Sequence, residues 1–523
     1  MSEPRVVTDP FDGSPLTRAM RDGMLDPSMA PRRPNGADEW RVHAAAVNRA
    51  APRDWLGALR GALDASGAAA ARLERVARSG GVVVTTGQQP GLFGGPVYTW
   101  SKAVSALAIA DAIERATGVA TAPVFFAATD DADFVEASLT RVIARGELEV
   151  LALHNAPPAG TPMARTPLGD TQPLLATLRE ACASMPFEAA FRACESAYHA
   201  ESTVGGAYVA LVRVLLAPLG VAVLDASHPD VRRAGAAVAQ RALERGAVVA
   251  QALEKRRVQL AAGGFEPRVA DVPTLSLVFV QEDGIKRRVP VKEAAEIARR
   301  ASPEALSPNV LLRPVLERAI LPTVGYVGGP SELAYFAQVS AVADALELAS
   351  PLALPRWSCT IVEPSVDRAL ARLGIGLDDL QDATALERRL AGAALPDGLQ
   401  ESIAAMREAV QAGLADIRRK DGGGLLAQPS LDGAGRSIGF RIDRLERRLL
   451  AAAKRRDSEA LRDLRTVRTA IFPAGHRQER CLNFIPFLAT YGDALWRSMS
   501  AQAGAHASAL IAPAAAGVLS RGS

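Results

Sequence analysis

Cysteine is scarce in this chain: four residues in 523, with no paired spacing, so a disulfide framework is excluded as a source of stability. No leader-like segment and no run of 18 apolar residues occurs, which argues against a membrane span and leads to the expectation of a soluble cytoplasmic protein. Charge of one sign is also lacking. Lys plus Arg number 60 against 57 Asp plus Glu, a net charge of +3, so no large basic face for nucleic acid is expected. The chain has neither Gly-x-x-x-x-Gly-Lys-Ser/Thr nor Gly-x-Gly-x-x-Gly at its glycine-rich turns, which excludes the generic phosphate loops. Cys182, Cys194 and His199 lack zinc-site spacing, and no metal centre is expected from them. Cys359 and Cys481 lie in apolar runs and read as small buried hydrophobes rather than nucleophiles.

What is present is most concentrated between Val82 and Tyr98. Val82-Val83-Val84 is a short β-branched run bounded by Gly81, as expected of a parallel strand buried on both faces. Four glycines and two prolines follow, and from Lys102 to Ile113 apolar residues recur at helical spacing. A strand, a glycine-rich turn and a helix in this order bring free backbone amides and the positive end of a helix dipole to one place. Such a corner either shapes a tight turn only or holds a ligand. Gln88, Gln89, Tyr98 and Lys102 crowd it with polar groups that a mere turn does not need.

Further strands are expected at 123–128, 221–225, 322–328 and 352–358, with a hairpin over 142–154 at a sheet edge and a β-rich insertion over 265–291 turning at Glu282-Asp283-Gly284. A single long helix is expected from Val231 to Ala261. Strands alternating with helices indicate an open α/β sheet, whose ligands bind at the carboxyl ends of its strands. Residues 365–470 differ in composition: Ala, Leu, Arg and Glu dominate, and apolar residues at three- and four-residue spacing in 403–417 and 438–467 predict an antiparallel helical hairpin of coiled-coil character, broken at 421–424 and 433–435. The organisation read from this is an N-terminal helical extension outside the core (1–70), an α/β core (71–364) with insertions at about 145–220 and 262–306, the helical domain (365–470) and a C-terminal segment returning to the core (471–523).

The run Thr86-Gly87-Gln88-Gln89-Pro90-Gly91-Leu92-Phe93-Gly94-Gly95-Pro96-Val97-Tyr98 resembles the signature of the BshC family, cysteine ligases of bacillithiol biosynthesis. Three further blocks resemble that family in order and spacing: Asp130-Asp131-Ala132-Asp133-Phe134, then Ser307 to Pro314 running on to Tyr326-Val327-Gly328-Gly329-Pro330-Ser331-Glu332-Leu333-Ala334-Tyr335, and Arg477 to Leu488. The resemblance implies a Rossmann-like core similar to that of class I aminoacyl-tRNA synthetases, with connective insertions and a coiled coil that makes a homodimer. It also implies a reaction: an ATP-dependent ligase joins the carboxylate of cysteine to the amino group of glucosaminyl malate, through an activated cysteinyl carboxylate and with Mg²⁺ accompanying the nucleotide. No His-x-Gly-His or Lys-Met-Ser-Lys-Ser pattern is present, so a tRNA synthetase is not expected.

Such chemistry needs donors for a phosphoryl transition state, a cation near the leaving group and a pocket that orients an amine. Gln88, Gln89 and the backbone of Gly91, Gly94 and Gly95 are candidate neutral donors, with Thr86, Gly87 and Tyr98 beside them. Lys102 or Arg313 is the candidate cation; either can instead serve a surface or capping role. Asp130, Asp131 and Asp133 end a strand, where they bind an amine or Mg²⁺ or form a solvated loop. Tyr326, Gly328, Gly329, Glu332 and Tyr335 form a second corner in which Glu332 either contacts ligand or complements its helix dipole, and Arg356 follows the next strand. Asn483 is expected to pack the C-terminal segment onto the core. The chain departs from the family motif Glu-Asp-His-Asp-Phe-Asp-Glu at Ala132, in place of histidine, and at Val135, in place of an acid. A histidine is a plausible base for an attacking amine. A non-catalytic or substrate-diverged dimeric protein that binds nucleotide or sugar is therefore the alternative reading.

Overall fold

The computed structural model describes residues 3–513, apart from 271, 383–384, 387, 390–397, 423 and 457. The chain divides into two compact units, Met1–Ile361 with His476–Ser523, and Val362–Gly475. In the first unit five strands form one parallel sheet: β1 (Val82–Gln88), β2 (Thr121–Ala127), β3 (Ala222–Asp225), β4 (Thr323–Gly328) and β5 (Ala353–Pro355). Their spatial order is β5-β4-β1-β2-β3. The chain thus builds outward from β1 through β2 to β3, then crosses back to β4 on the other side of β1. This is the doubly wound Rossmann order, and the strand order reverses between β1 and β4.

The alternation of side chains across the sheet explains why β1 and β2 are apolar throughout. Val82, Val84 and Phe125 enter the core on one face, and Val83, Val124 and Phe126 enter the core on the other. Helix α1 (Val97–Thr117) is buried along nearly its whole length, because it lies between the sheet and the C-terminal helix α5 (Ile485–Ile511). Trp100 stacks on Phe484 with ring centroids 5.2 Å apart, and Phe484 meets Trp496 at 5.1 Å. The opposite face carries α2 (Pro229–Glu244), α3 (Arg313–Ile320) and α4 (Pro330–Ala345).

The structure departs from several expectations. Residues 1–70 do not lie outside the core: Trp40, Ala44 and Val47 enter one core and Trp55, Leu59 and Leu63 the other. The hairpin is Leu139–Ala144 with Glu147–Ala152, a separate two-stranded sheet rather than an edge of the main one. The expected long helix breaks at Arg245 into α2 and Gly246–Ala262, where Gly246 packs near Val291. The insertion hairpin, Leu275–Glu282 with Ile285–Pro290, turns at Asp283-Gly284, both with positive φ, and gains a third strand, Leu306–Pro308.

In the second unit, helices Leu399–Asp421 and Gln428–Arg456 run antiparallel, joined by Arg407–Asp443 at 2.8 Å and Arg418–Asp432 at 2.5 Å. Gly433 and Gly435 lie inside the second helix rather than in a break, since Gly435 lets Leu414 approach closely. Residue 423 of the expected break and residues 514–523 of the C-terminal segment lie outside the described residues.

Candidate functional site

A cavity of about 590 Å³ opens at the carboxyl ends of β1, β2 and β4, at the reversal of strand order. Its size suits a small-molecule ligand. The glycine corner after β1 forms one wall but does not offer the amides of Gly94, Gly95 or Val97. Gly94 N donates to Gly91 O at 3.0 Å, Gly95 N to Leu92 O at 3.1 Å and Val97 N, at the start of α1, to Leu482 O at 3.0 Å. The Tyr198 hydroxyl accepts from Gly94 N and donates to Gly91 O, and Asn483 Nδ2 donates to the carbonyls of Leu92 and Phe93. Gly94 has φ +83°, and a Cβ there would stand 2.7 Å from the Trp100 ring. Gly94 and Gly95 therefore shape the turn and are not phosphate donors, because the corner's own carbonyls and Tyr198 take their amides, while Gly91 lies off the cavity. Thr86 is likewise structural: its hydroxyl donates to Val327 O at 2.8 Å, tying β1 to β4 away from the cavity.

What the corner delivers is side chains. Lys102, one turn into α1, points back to the end of β1 and donates to Gly87 O at 2.8 Å and Gln88 Oε1 at 2.9 Å. Its ammonium pairs with Glu332 Oε2 at 2.5 Å, and both side chains are largely buried. Burial draws Lys102 below its usual range, against the pull of Glu332, while Glu332 is held below the usual carboxylate range because Lys102 and its hydrogen bonds outweigh burial. Glu332 is also tied to its own helix start, accepting from Gly329 N at 2.8 Å, and its other oxygen accepts from the Tyr326 hydroxyl at 2.7 Å. Arg313 Nη2 donates to Tyr326 at 3.1 Å and reaches Tyr335 at 3.5 Å. One chain of contacts thus runs from Arg313 through Tyr326 and Glu332 to Lys102, crossing from α3 to α1 over the ends of β4 and β1. Tyr326 and Gly328 stand behind the cavity wall rather than on it; Gly328 allows α4 to approach, since a Cβ there would lie 3.0 Å from Glu332 Cβ.

The three acids after β2 separate into three environments. Asp130 is buried and accepts from Lys286 Nζ at 3.3 Å, with Arg232 at 3.6 Å, and these cations hold its carboxyl low despite burial. Asp131 accepts from Gln89 Nε2 at 2.5 Å and lines the cavity. Asp133 is exposed, off the cavity, and caps the short helix Phe134–Ala137 by accepting from Glu136 N. A shared acidic cage for Mg²⁺ is not formed, and among the described residues no group of three or more His, Cys, Asp and Glu is placed to hold a metal. Arg356 forms a two-pronged, buried pair with Glu479 at 2.8 and 2.6 Å, which fastens the C-terminal segment to the cavity wall.

The cavity therefore brings together Gly87, Gln88, Gln89, Tyr98, Lys102, Asp130, Asp131, Arg313, Gly329, Glu332, Tyr335 and Arg356 from the sequence expectation. Sequence reasoning missed Arg232, Lys286, Arg288, Glu136, Asn309 and Arg480 as lining residues. Lys286 comes from the insertion hairpin, whose backbone also docks through Lys286 N onto Gly160 O at 2.8 Å. Its only sequence signal was that the hairpin interrupts the α/β pattern between β3 and β4. Among the described residues, seven cationic and four acidic side chains line the cavity, an excess that favours anionic ligands.

Comparison with known proteins agrees with this architecture. Residues 41–357 match the family model for the BshC N-terminal Rossmann-like domain of bacillithiol biosynthesis, and residues 359–507 match that for its C-terminal coiled-coil domain. A protein of Solibacter usitatus named "Putative cysteine ligase BshC" is 33% identical over 80% of this chain and 82% of its own length. Proteins of the same name from Koribacter versatilis and Heliobacterium modesticaldum are 31% and 29% identical over 82% and 84% of this chain, covering 83% and 84% of their own lengths. With both domains matched and the doubly wound sheet carrying its cavity at the strand reversal, the chain belongs to the BshC family of bacillithiol biosynthesis.

Proposed function

We propose that the chain is an ATP-dependent ligase that joins the carboxylate of cysteine to the amino group of glucosaminyl malate, the last step of bacillithiol formation. The observation that carries this reading is the cation-rich cavity at the switch point of the sheet, lined by a buried Lys102–Glu332 pair. A free carboxylate is a poor electrophile, so the first step has its oxygen attack the α-phosphorus of ATP and expel pyrophosphate. The amine then attacks the carbonyl carbon, AMP leaves with the bridging oxygen, and the amine proton passes to a base. Arg313, Arg232 and Lys286 supply positive charge for an anionic nucleotide and for the malyl carboxylates. Lys102 and Glu332 hold the ends of β1 and α4 in a fixed relation, which keeps reactants oriented. Mg²⁺ in this reading arrives with the nucleotide, since the acids after β2 do not fit a protein-held ion.

No histidine lines the cavity among the described residues, consistent with Ala132 in the family motif. Glu136 takes its place as the candidate base. It lines the cavity close to Asp131, and its carboxyl is raised by burial and by the neighbouring Asp133 and Asp131. Ala132 also favours a second reading, in which the site accepts a different amine. We further infer a homodimer through the helical hairpin, supported by exposed Ile438, Phe440 and Leu445 on its second helix. The test is to supply purified protein with ATP, glucosaminyl malate and cysteine labelled with heavy oxygen in its carboxylate. Amide product with label in AMP supports the reaction. Turnover with another amino sugar but not glucosaminyl malate supports the second reading, and no nucleotide turnover with any amine defeats both.

A further inference from the structure

Beneath the cavity floor lies a carboxyl group for which the reaction above has no role. Glu317 is 1% exposed, one helical turn after Arg313 on the same face of α3. Both its oxygens are sealed from solvent, and so is the unpartnered Arg313 Nε. The groups that face it come from each element packed around α3. Among the described residues, β1 presents the Thr85 hydroxyl, β4 presents Tyr326, and α4 presents Glu332 and Tyr335. α2, the other helix packed on α3, places Gly235 against Leu316 and sends Arg232 away to Asp130. Glu317 thus feels the charge of Arg313 with no hydrogen bond joining them, and that cation is the first link of the chain through Tyr326 and Glu332 to Lys102.

We infer that Glu317 is a positioning residue that stores one exchangeable proton under the site, and that its ionisation draws Arg313 away from Tyr326 and loosens the Tyr326–Glu332–Lys102 contacts. Burial, opposed by the Thr85 hydroxyl and Arg313, raises its carboxyl to about 7, so the change falls near neutrality. When protonated, Glu317 leaves Arg313 to Tyr326. When ionised, it competes for the guanidinium, and the wall of the cavity loses a fixed donor. The inference rests on the reading of this cavity as the ligase site, but its physical core concerns the titration of the protein alone.

The experiment is a side-chain NMR titration of the full chain carrying labelled glutamate and lysine, from about pH 5 to about pH 9, in wild type, Glu317→Gln and Thr85→Val. One glutamate signal titrating near neutrality, absent in Glu317→Gln and moved to higher pH in Thr85→Val, is expected. The Lys102 signal should shift through the same midpoint in wild type and stay level in Glu317→Gln. Amide formation should fall through that midpoint in wild type and lack the inflection in Glu317→Gln. A Glu317 signal titrating in the ordinary carboxylate range, or a Lys102 signal indifferent to Glu317→Gln, overturns the inference. Coupled titration in a protein that forms no amide would instead leave this device standing and defeat the ligase reading.

Discussion

Lys102 and Glu332 are each costly alone in the interior and tolerable only together, which makes their pairing a measurable property of single side chains. Lys102→Met leaves Glu332 buried without its counter-charge and is expected to lower the unfolding free energy by about 3–5 kcal/mol. The double variant with Glu332→Gln should recover most of that loss in denaturant titrations, whereas a single variant as stable as wild type would show the pair to be unimportant. Glu317 has the opposite character, since its folded state prefers the neutral form. A carboxyl raised from its ordinary 4.5 to about 7 stabilises the fold fully below the lower value, and this contribution is lost as pH rises through the upper one. Glu317→Gln should therefore match wild type near pH 4.5 and exceed it above pH 7, by on the order of 3 kcal/mol. Equal stability of the two proteins at every pH would mean that Glu317 ionises as freely inside as outside.

At the scale of elements, the corner between β1 and α1 is held from outside itself, by Tyr198, Leu482 and Asn483. Gly94→Ala requires both a left-handed alanine and a Cβ 2.7 Å from Trp100, and thermal unfolding should register a loss above about 2 kcal/mol. A loss within about 0.5 kcal/mol would mean that the turn relaxes freely. The corner's existence was legible in the sequence because strand, glycines and helix are contiguous. Its role was misread for Gly94 and Gly95, because the turn's own carbonyls, and for Gly94 the distant Tyr198, take their amides. The same separation hid Lys286 and Arg232, which reach the cavity from an insertion and from α2. Glu317 carried no signal at all, since a glutamate between Arg313 and Arg318 looks like helix surface until α3 is packed beneath the sheet. Asp133 looked like one of three acids of a site, and local capping claimed it.

For the whole molecule, the periodicities that gave the sheet and the helical hairpin extend over long segments and survived folding, while the role of residues 1–70 did not, because an alanine-rich helix gives no sign of which core it enters. If the second unit joins two copies, Phe440→Asp with Leu445→Asp should convert a dimer to a monomer in sedimentation equilibrium without altering the melting of the first unit; an unchanged mass would exclude this face. Amide formation is assigned to the cavity at the strand reversal, which Arg313 lines. The most direct test is the rate of amide formation from cysteine, glucosaminyl malate and ATP in folded Arg313→Met beside wild type. A loss of about 100-fold or more is predicted from removal of a positioned charge in a water-poor site. A rate within a few fold of wild type, in a variant shown to be folded, would contradict the assignment of this cavity.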